Sequence, residues 1–157
     1  MSIYGGKITT SRKLAEHALE KLQPFLDFPA KAWTREKHLP GGDIEGADFE
    51  AFKGRMGARY PWLEPDSLHR LARRYGTQMQ DVIGKASSVT DMGRMFYRGL
   101  SEREVRYLIV NEFVTRPEDI LWRRTKLGLH MPEDQRRAFI EWFNANMLSY
   151  IPELKLT

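Results

Sequence analysis

Apolar residues recur three and four positions apart along most of the chain, and no stretch alternates at period two for long enough to make a sheet. Leu14, Ala18 and Leu22 share one face of a helix predicted from Ser11 to Leu22, with Ala15 and Leu19 beside them and Pro24 and Pro29 bracketing its end. Asp48 opens a second helix with Phe49, Phe52, Met56 and Tyr60 on one side, stopped at Tyr60-Pro61. Glu64 or Asp66 opens a third, which carries Leu68, Leu71, Ala72 and Tyr75 and closes at Gly76. Thr77 is placed to cap a short fourth helix with Met79, Val82 and Ile83. Gly84 to Gly99 is loop-like, and Ser101-Glu102-Arg103-Glu104 is a capping box that launches Val105, Leu108, Ile109 and Phe113. Pro117 suits the first turn of a further helix carrying Ile120, Leu121, Trp122 and Thr125 to Gly128. Pro132-Glu133-Asp134 starts the last, whose stripe is Phe139, Trp142, Phe143, Met147 and Tyr150, closed by Pro152.

The pattern therefore predicts an all-α chain, a compact array of six or seven short helices. Two stretches stand outside it. Ile3-Tyr4 is the only strand candidate, and the chain offers it no partner. Residues 27–47 read as an extended loop anchored by Trp33, Leu39 and Ile44, with Pro40-Gly41-Gly42 as turn chemistry.

Composition narrows the chemistry. A chain of 157 residues, 41% hydrophobic and 29% charged, is enough for one globular domain with its own core. There is no apolar run near the ~18 residues of a membrane span, and no signal peptide is recognisable. With no cysteine, disulfides, thiol catalysis and cysteine-bound metals are excluded. His17, His38, His69 and His130 are scattered without metal-ligand spacing, so no metal site is expected. The net charge of +4 comes with arginine clusters at Arg70-Arg73-Arg74, Arg123-Arg124 and Arg136-Arg137. Acids lie close to these clusters, as Glu118-Asp119 and Glu133-Asp134 do, which predicts solvated, ion-paired helix faces. A free-standing basic module for nucleic acid or an anionic membrane surface is the competing reading of that charge.

The candidate chemistry sits at the start of the chain. Ile3-Tyr4-Gly5-Gly6-Lys7-Ile8-Thr9-Thr10 leads a short β-prone piece into a Gly-Gly turn and then a helix. Paired glycines let backbone approach a ligand, a helix start offers unpaired N–H donors, and Lys7 adds a full charge. Such a place suits a negative oxygen. The same residues also make an ordinary loop with a threonine cap, and neither the Walker nor the Rossmann glycine pattern is present.

The resemblance to a family rests on five blocks in order: Tyr4-Gly5-Gly6-Lys7-Ile8-Thr9-Thr10 with Arg12-Lys13-Leu14-Ala15-Glu16; Leu39-Pro40-Gly41-Gly42; Leu71-Ala72-Arg73-Arg74-Tyr75-Gly76; Glu104-Val105-Arg106-Tyr107-Leu108 with Asn111-Glu112; and Glu118 through Gly128. Together they resemble the C-terminal part of the FAD-dependent, quinone-linked glycerol-3-phosphate dehydrogenases. The resemblance implies that residues 1–10 are the tail of an FAD-binding domain and residues 11–157 a helical C-terminal domain. It implies that the whole enzyme oxidises glycerol 3-phosphate to dihydroxyacetone phosphate and passes electrons through FAD to a quinone, in the cytoplasm and peripheral to the inner face of the membrane. Lys7 would contact the phosphate-bearing substrate, and Gly5, Gly6, Ile8 and Thr9 would lie along the flavin. The N-terminal FAD-binding domain would be the partner, nucleic acid would not be one, and the chain alone would be inactive. Ser11 departs from the family's usual tyrosine. No catalytic residue is assigned, and Arg123 and Arg124 are expected to form structural ion pairs.

Overall fold

The computed structural model describes residues 2–28 and 32–150. Pro29 and Pro152, expected to bound two helices, lie outside the described residues. The chain divides into two compact units, Met1–Leu39 and Pro40–Thr157. The described residues are all-α, with a single isolated antiparallel bridge between Met95 and Ser101, and Ile3-Tyr4 forms no strand.

The second unit holds five α-helices: α2 (Phe49–Arg59), α3 (Pro65–Tyr75), α4 (Met79–Ile83), α5 (Glu102–Asn111) and α6 (Glu133–Tyr150). The carboxylate of Asp48 accepts the Ala51 N–H at 3.0 Å and so caps α2. Pro65 occupies the first turn of α3, where its missing N–H has no intrahelical partner to lose. The apolar faces read from the sequence meet in one core. Leu71, Met79, Val82, Ile83, Leu100, Val105, Leu108, Ile120, Leu121, Phe139 and Phe143 are buried, and side chains of this size each contribute about 1.5–3 kcal/mol on leaving water. Phe96 packs edge-on against Phe139 with ring centroids 5.0 Å apart and tilts onto Trp142 at 4.7 Å, so the aromatic stripe of α6 is core.

Several expectations are corrected. Residues Asp119–Arg124 form a π-helical turn instead of an α-helix, because both the N–H and the hydroxyl of Thr125 bond the carbonyl of Ile120, five residues back. Phe113 does not continue the buried face of α5. It lies past the helix end, with φ 56° and 87% exposed. Thr77 does not cap α4, since its hydroxyl bonds Asp43 instead.

In the first unit α1 (Ser11–Leu22) follows a 3-10 turn at Ile8–Thr10 and runs into another at Gln23–Phe25. Its apolar stripe forms as periodicity predicts, yet no described residue up to Leu39 is buried. Trp33 and Leu39, expected as loop anchors, are exposed, whereas Ile44 packs against the core. What ties this unit together is polar. The carboxylate of Glu16 accepts the Thr34 hydroxyl at 2.6 Å and pairs with Arg12 at 2.6 Å and Lys13 at 3.3 Å.

Candidate functional site

The Gly-Gly-Lys turn has the backbone that glycine permits and other residues resist. Gly5 has φ 78° and Gly6 φ 121°. A side chain on Gly5 would meet nothing within 4 Å, so the backbone there is open to approach. Lys7 is extended and exposed, as are Ile8 and Thr9. Thr10 does not cap α1. Its N–H and its hydroxyl both donate to the Lys7 carbonyl at 3.0 Å, which closes the turn and leaves the start of α1 without a side-chain cap. The turn thus presents a lysine charge, two glycines and an uncapped helix start together, an arrangement suited to anionic oxygen.

A second polar centre, unforeseen in the sequence, lies inside the second unit. Glu104 is fully buried. Its Oε1 accepts from Arg70 Nη1, Arg74 Nη1 and the Tyr75 hydroxyl, and its Oε2 from Arg70 Nη2, all at 2.8 Å. The capping box is therefore only half used: Ser101 Oγ accepts the Glu104 N–H at 3.2 Å, while the glutamate side chain turns into the protein. Burial by itself would raise the Glu104 carboxyl, but the hydrogen bonds and charge of Arg70, then Arg74 and Tyr75, outweigh it and hold the group below the usual carboxylate range. Burial and the adjacent Glu104 charge push the Tyr75 phenol up. Arg70 and Arg74 are thus not the solvated face expected of them. One signal was available: arginines four apart on α3, one turn from a tyrosine, present a fork to a single acid.

The blocks Leu39–Gly42, Leu71–Gly76, Glu104–Leu108 and Glu118–Gly128 converge here. Gly41 presses its carbonyl onto Gly76, where a Cβ on either residue would collide with the other strand of backbone, and it accepts the Thr77 N–H at 3.1 Å. The Pro40-Gly41-Gly42 turn is thus packed against protein. Arg74 reaches the Thr125 carbonyl at 3.4 Å. Beside these contacts opens a cleft of about 280 Å³, bordered by Pro40, Arg74, Tyr75, Gln78, Leu108, Glu112, Arg123 and Arg124. Its outer arginines are engaged: Arg123 with Asp119, Arg124 with the Glu112 carboxylate at 3.4 Å and its carbonyl at 2.6 Å. Arg137 pairs with Glu133 at 3.6 Å, and Arg136 lies over the Trp122 ring. The basic clusters therefore satisfy the protein's own acids and rings, as expected for Arg123 and Arg124, and the nucleic-acid or membrane-surface reading finds no support in them. Among the described residues no group of three histidines or acids is placed to hold a metal.

Comparison with known proteins bears on the same residues. Residues 32–143 match the family described as the C-terminal domain of alpha-glycerophosphate oxidase. The chain is 44% identical over 142 residues to the aerobic glycerol-3-phosphate dehydrogenase of Escherichia coli (strain K12), covering 90% of this chain and 28% of that protein. It is 41% identical over 150 residues to the D-erythritol 1-phosphate dehydrogenase of Brucella abortus (strain 2308), covering 95% of this chain and 30% of that protein. Identity to a glycerol-3-phosphate dehydrogenase of Pseudomonas aeruginosa is 43% over 136 residues, 87% of this chain and 26% of that one. The chain thus spans less than a third of the length of these relatives.

Proposed function

The chain belongs to the family of the alpha-glycerophosphate oxidase C-terminal domain, and we propose that it is the C-terminal part of an FAD-dependent glycerol-3-phosphate dehydrogenase. The whole enzyme oxidises the secondary alcohol of sn-glycerol 3-phosphate to dihydroxyacetone phosphate and hands two electrons on to a quinone. The observation that carries this reading is 44% identity over 90% of the chain to a relative named for that activity.

Within it, the Gly-Gly-Lys turn faces the reaction. The open backbone at Gly5, the positive φ of Gly6 and the uncapped start of α1 fit the edge of a flavin. Bound FAD would accept the hydride. Gly5, Gly6, Ile8 and Thr9 would lie along its pyrimidine ring, where backbone N–H groups stabilise the negative charge of the reduced ring. Lys7 would hold the substrate phosphate and so fix which carbon faces the flavin. The remainder of the FAD site and the acid–base chemistry belong to the N-terminal domain, so the 157-residue chain alone is inactive. The whole enzyme works in the cytoplasm at the inner membrane face, as a peripheral protein. No helix among the described residues is long and apolar enough to cross a membrane.

A second substrate is favoured by a specific observation. The D-erythritol 1-phosphate dehydrogenase matches 95% of the chain at 41% identity. Both substrates are phosphorylated polyols, and a lysine that grips phosphate serves either. The test uses the full-length enzyme. Turnover is measured with each polyol phosphate, and Lys7→Ala is read for flavin content and kinetics together. Loss of one charge-assisted contact, about 1.5–3 kcal/mol, should raise KM by roughly 10- to 100-fold with flavin retained. Unchanged KM and unchanged flavin would remove Lys7 from the site.

A further inference from the structure

We propose that residues 2–39 are the closing element of the flavin-bearing body, and that their outward apolar side chains are buried against that body in the whole chain. The identity of the body rests on the function proposed above. The domain boundary then falls beyond α1, between about residue 31 and residue 39, and not after Thr10.

Three independent observations carry this. The unit is built inside out. Its centre is Glu16, held by Thr34, Arg12 and Lys13 with only 11% of its side chain exposed. Its large apolar side chains meanwhile point to water: Tyr4 is 93% exposed, Ile8 90%, Phe25 81% and Trp33 65%. A soluble unit that exposes aromatics around a polar centre is one face of an interface. Secondly, the unit has no core to stabilise its helix. α1 has 12 residues, a length at which isolated helices are marginal in water. Thirdly, the match to the C-terminal domain family begins only at residue 32, although curated relatives match 90–95% of this chain. The residues before 32 are thus shared with the relatives but lie outside the C-terminal domain that they carry. The relatives are more than three times as long as the matched part, since it spans 26–30% of them. The occupant of the apolar face is that other part of the same polypeptide.

Hydrogen exchange on two proteins tests this: the 157-residue chain and the full-length enzyme. In the short chain the α1 amides should exchange within about tenfold of the unprotected rate, while α3 and α5 stay protected by their core. In the full-length enzyme α1 should gain at least 100-fold protection. Protection of α1 in the short chain equal to that of α3 would overturn the proposal, because the unit would then have a core of its own. Protection there that grows with protein concentration would also overturn it, in favour of a second copy as occupant. Absence of protection in both proteins would remove the interface altogether. The readout is exchange and not turnover, so a full-length protein that protects α1 yet fails to oxidise glycerol 3-phosphate would refute the activity alone.

Discussion

Glu16 and Glu104 are the same device in two surroundings. Each carboxylate is held by two basic side chains and a hydroxyl: Arg12, Lys13 and Thr34 in one case, Arg70, Arg74 and Tyr75 in the other. Glu104 is fully buried within the core that joins α3 to α5, whereas Glu16 sits in a unit with no buried residue. Both carboxyls are held low, Glu16 chiefly by the Thr34 hydroxyl, and Glu104 against a large opposing effect of burial. Hydrogen bonds alone therefore do not measure what a cluster contributes. In water the partners are replaceable, and in the core they are not.

The largest effect is expected at the buried cluster. Glu104→Gln leaves Arg70 and Arg74 without their carboxylate and should cost about 3–5 kcal/mol in urea unfolding, a fall of order 10 °C in thermal midpoint. A loss below about 1 kcal/mol would place Glu104 with exposed ion pairs and end the contrast. The same cluster sets a pH dependence. A carboxyl whose pKa is lower folded than unfolded contributes stability above its unfolded pKa and loses it as pH falls through the folded value. Unfolding midpoints should therefore drop as pH is taken below 4.5, the ordinary value for this group, and the gap between wild type and Glu104→Gln should close over the same range. A gap that stays constant with pH would show that packing, and not charge, holds the site.

Next comes the backbone. Gly76→Ala forces a left-handed conformation, φ 53°, and drives a methyl into the Gly41 carbonyl. The conformation alone costs about 1–3 kcal/mol, and the collision adds to it. Gly5→Ala carries a similar φ of 78° but an open surrounding, so in the isolated chain the unfolding midpoint should not move. The smallest effect is at Glu16→Gln, which should leave unfolding of the 157-residue chain unchanged. A clear drop in midpoint there would give the first unit a stability of its own.

Most of the fold was legible in the apolar periodicity, because the stripes of α2 to α6 are wide and their ends carry caps. The stripe of α1 looks just as sound. Periodicity reports which side chains share a face, not what covers the face, and so Leu14 and Leu19 gave no sign of lying exposed. Glu104 was hidden by a local motif: a serine three residues before a glutamate reads as a capping box, and its pull into the core came from α3, over thirty residues earlier in the chain. The turn at Asp119–Arg124 escaped because a single helical turn is too short to separate one hydrogen-bond period from another. At the Gly-Gly-Lys turn the glycines were legible as backbone. That Thr10 bonds back to Lys7 was not, since threonine caps and threonine turns share a sequence.

The π-turn has a consequence for how this chain can change length. Each residue in an α-helix advances the direction of the side chain by about 100°. Deleting one residue between Glu118 and Thr125 would let the turn relax to α geometry and swing everything after it by that angle. Arg124 would leave the Glu112 carbonyl that it now holds, and Thr125 would leave Ile120. Insertions and deletions in this segment are therefore counted in whole turns, and the run from Asp119 to Thr125 acts as a ruler that single-residue drift cannot recut.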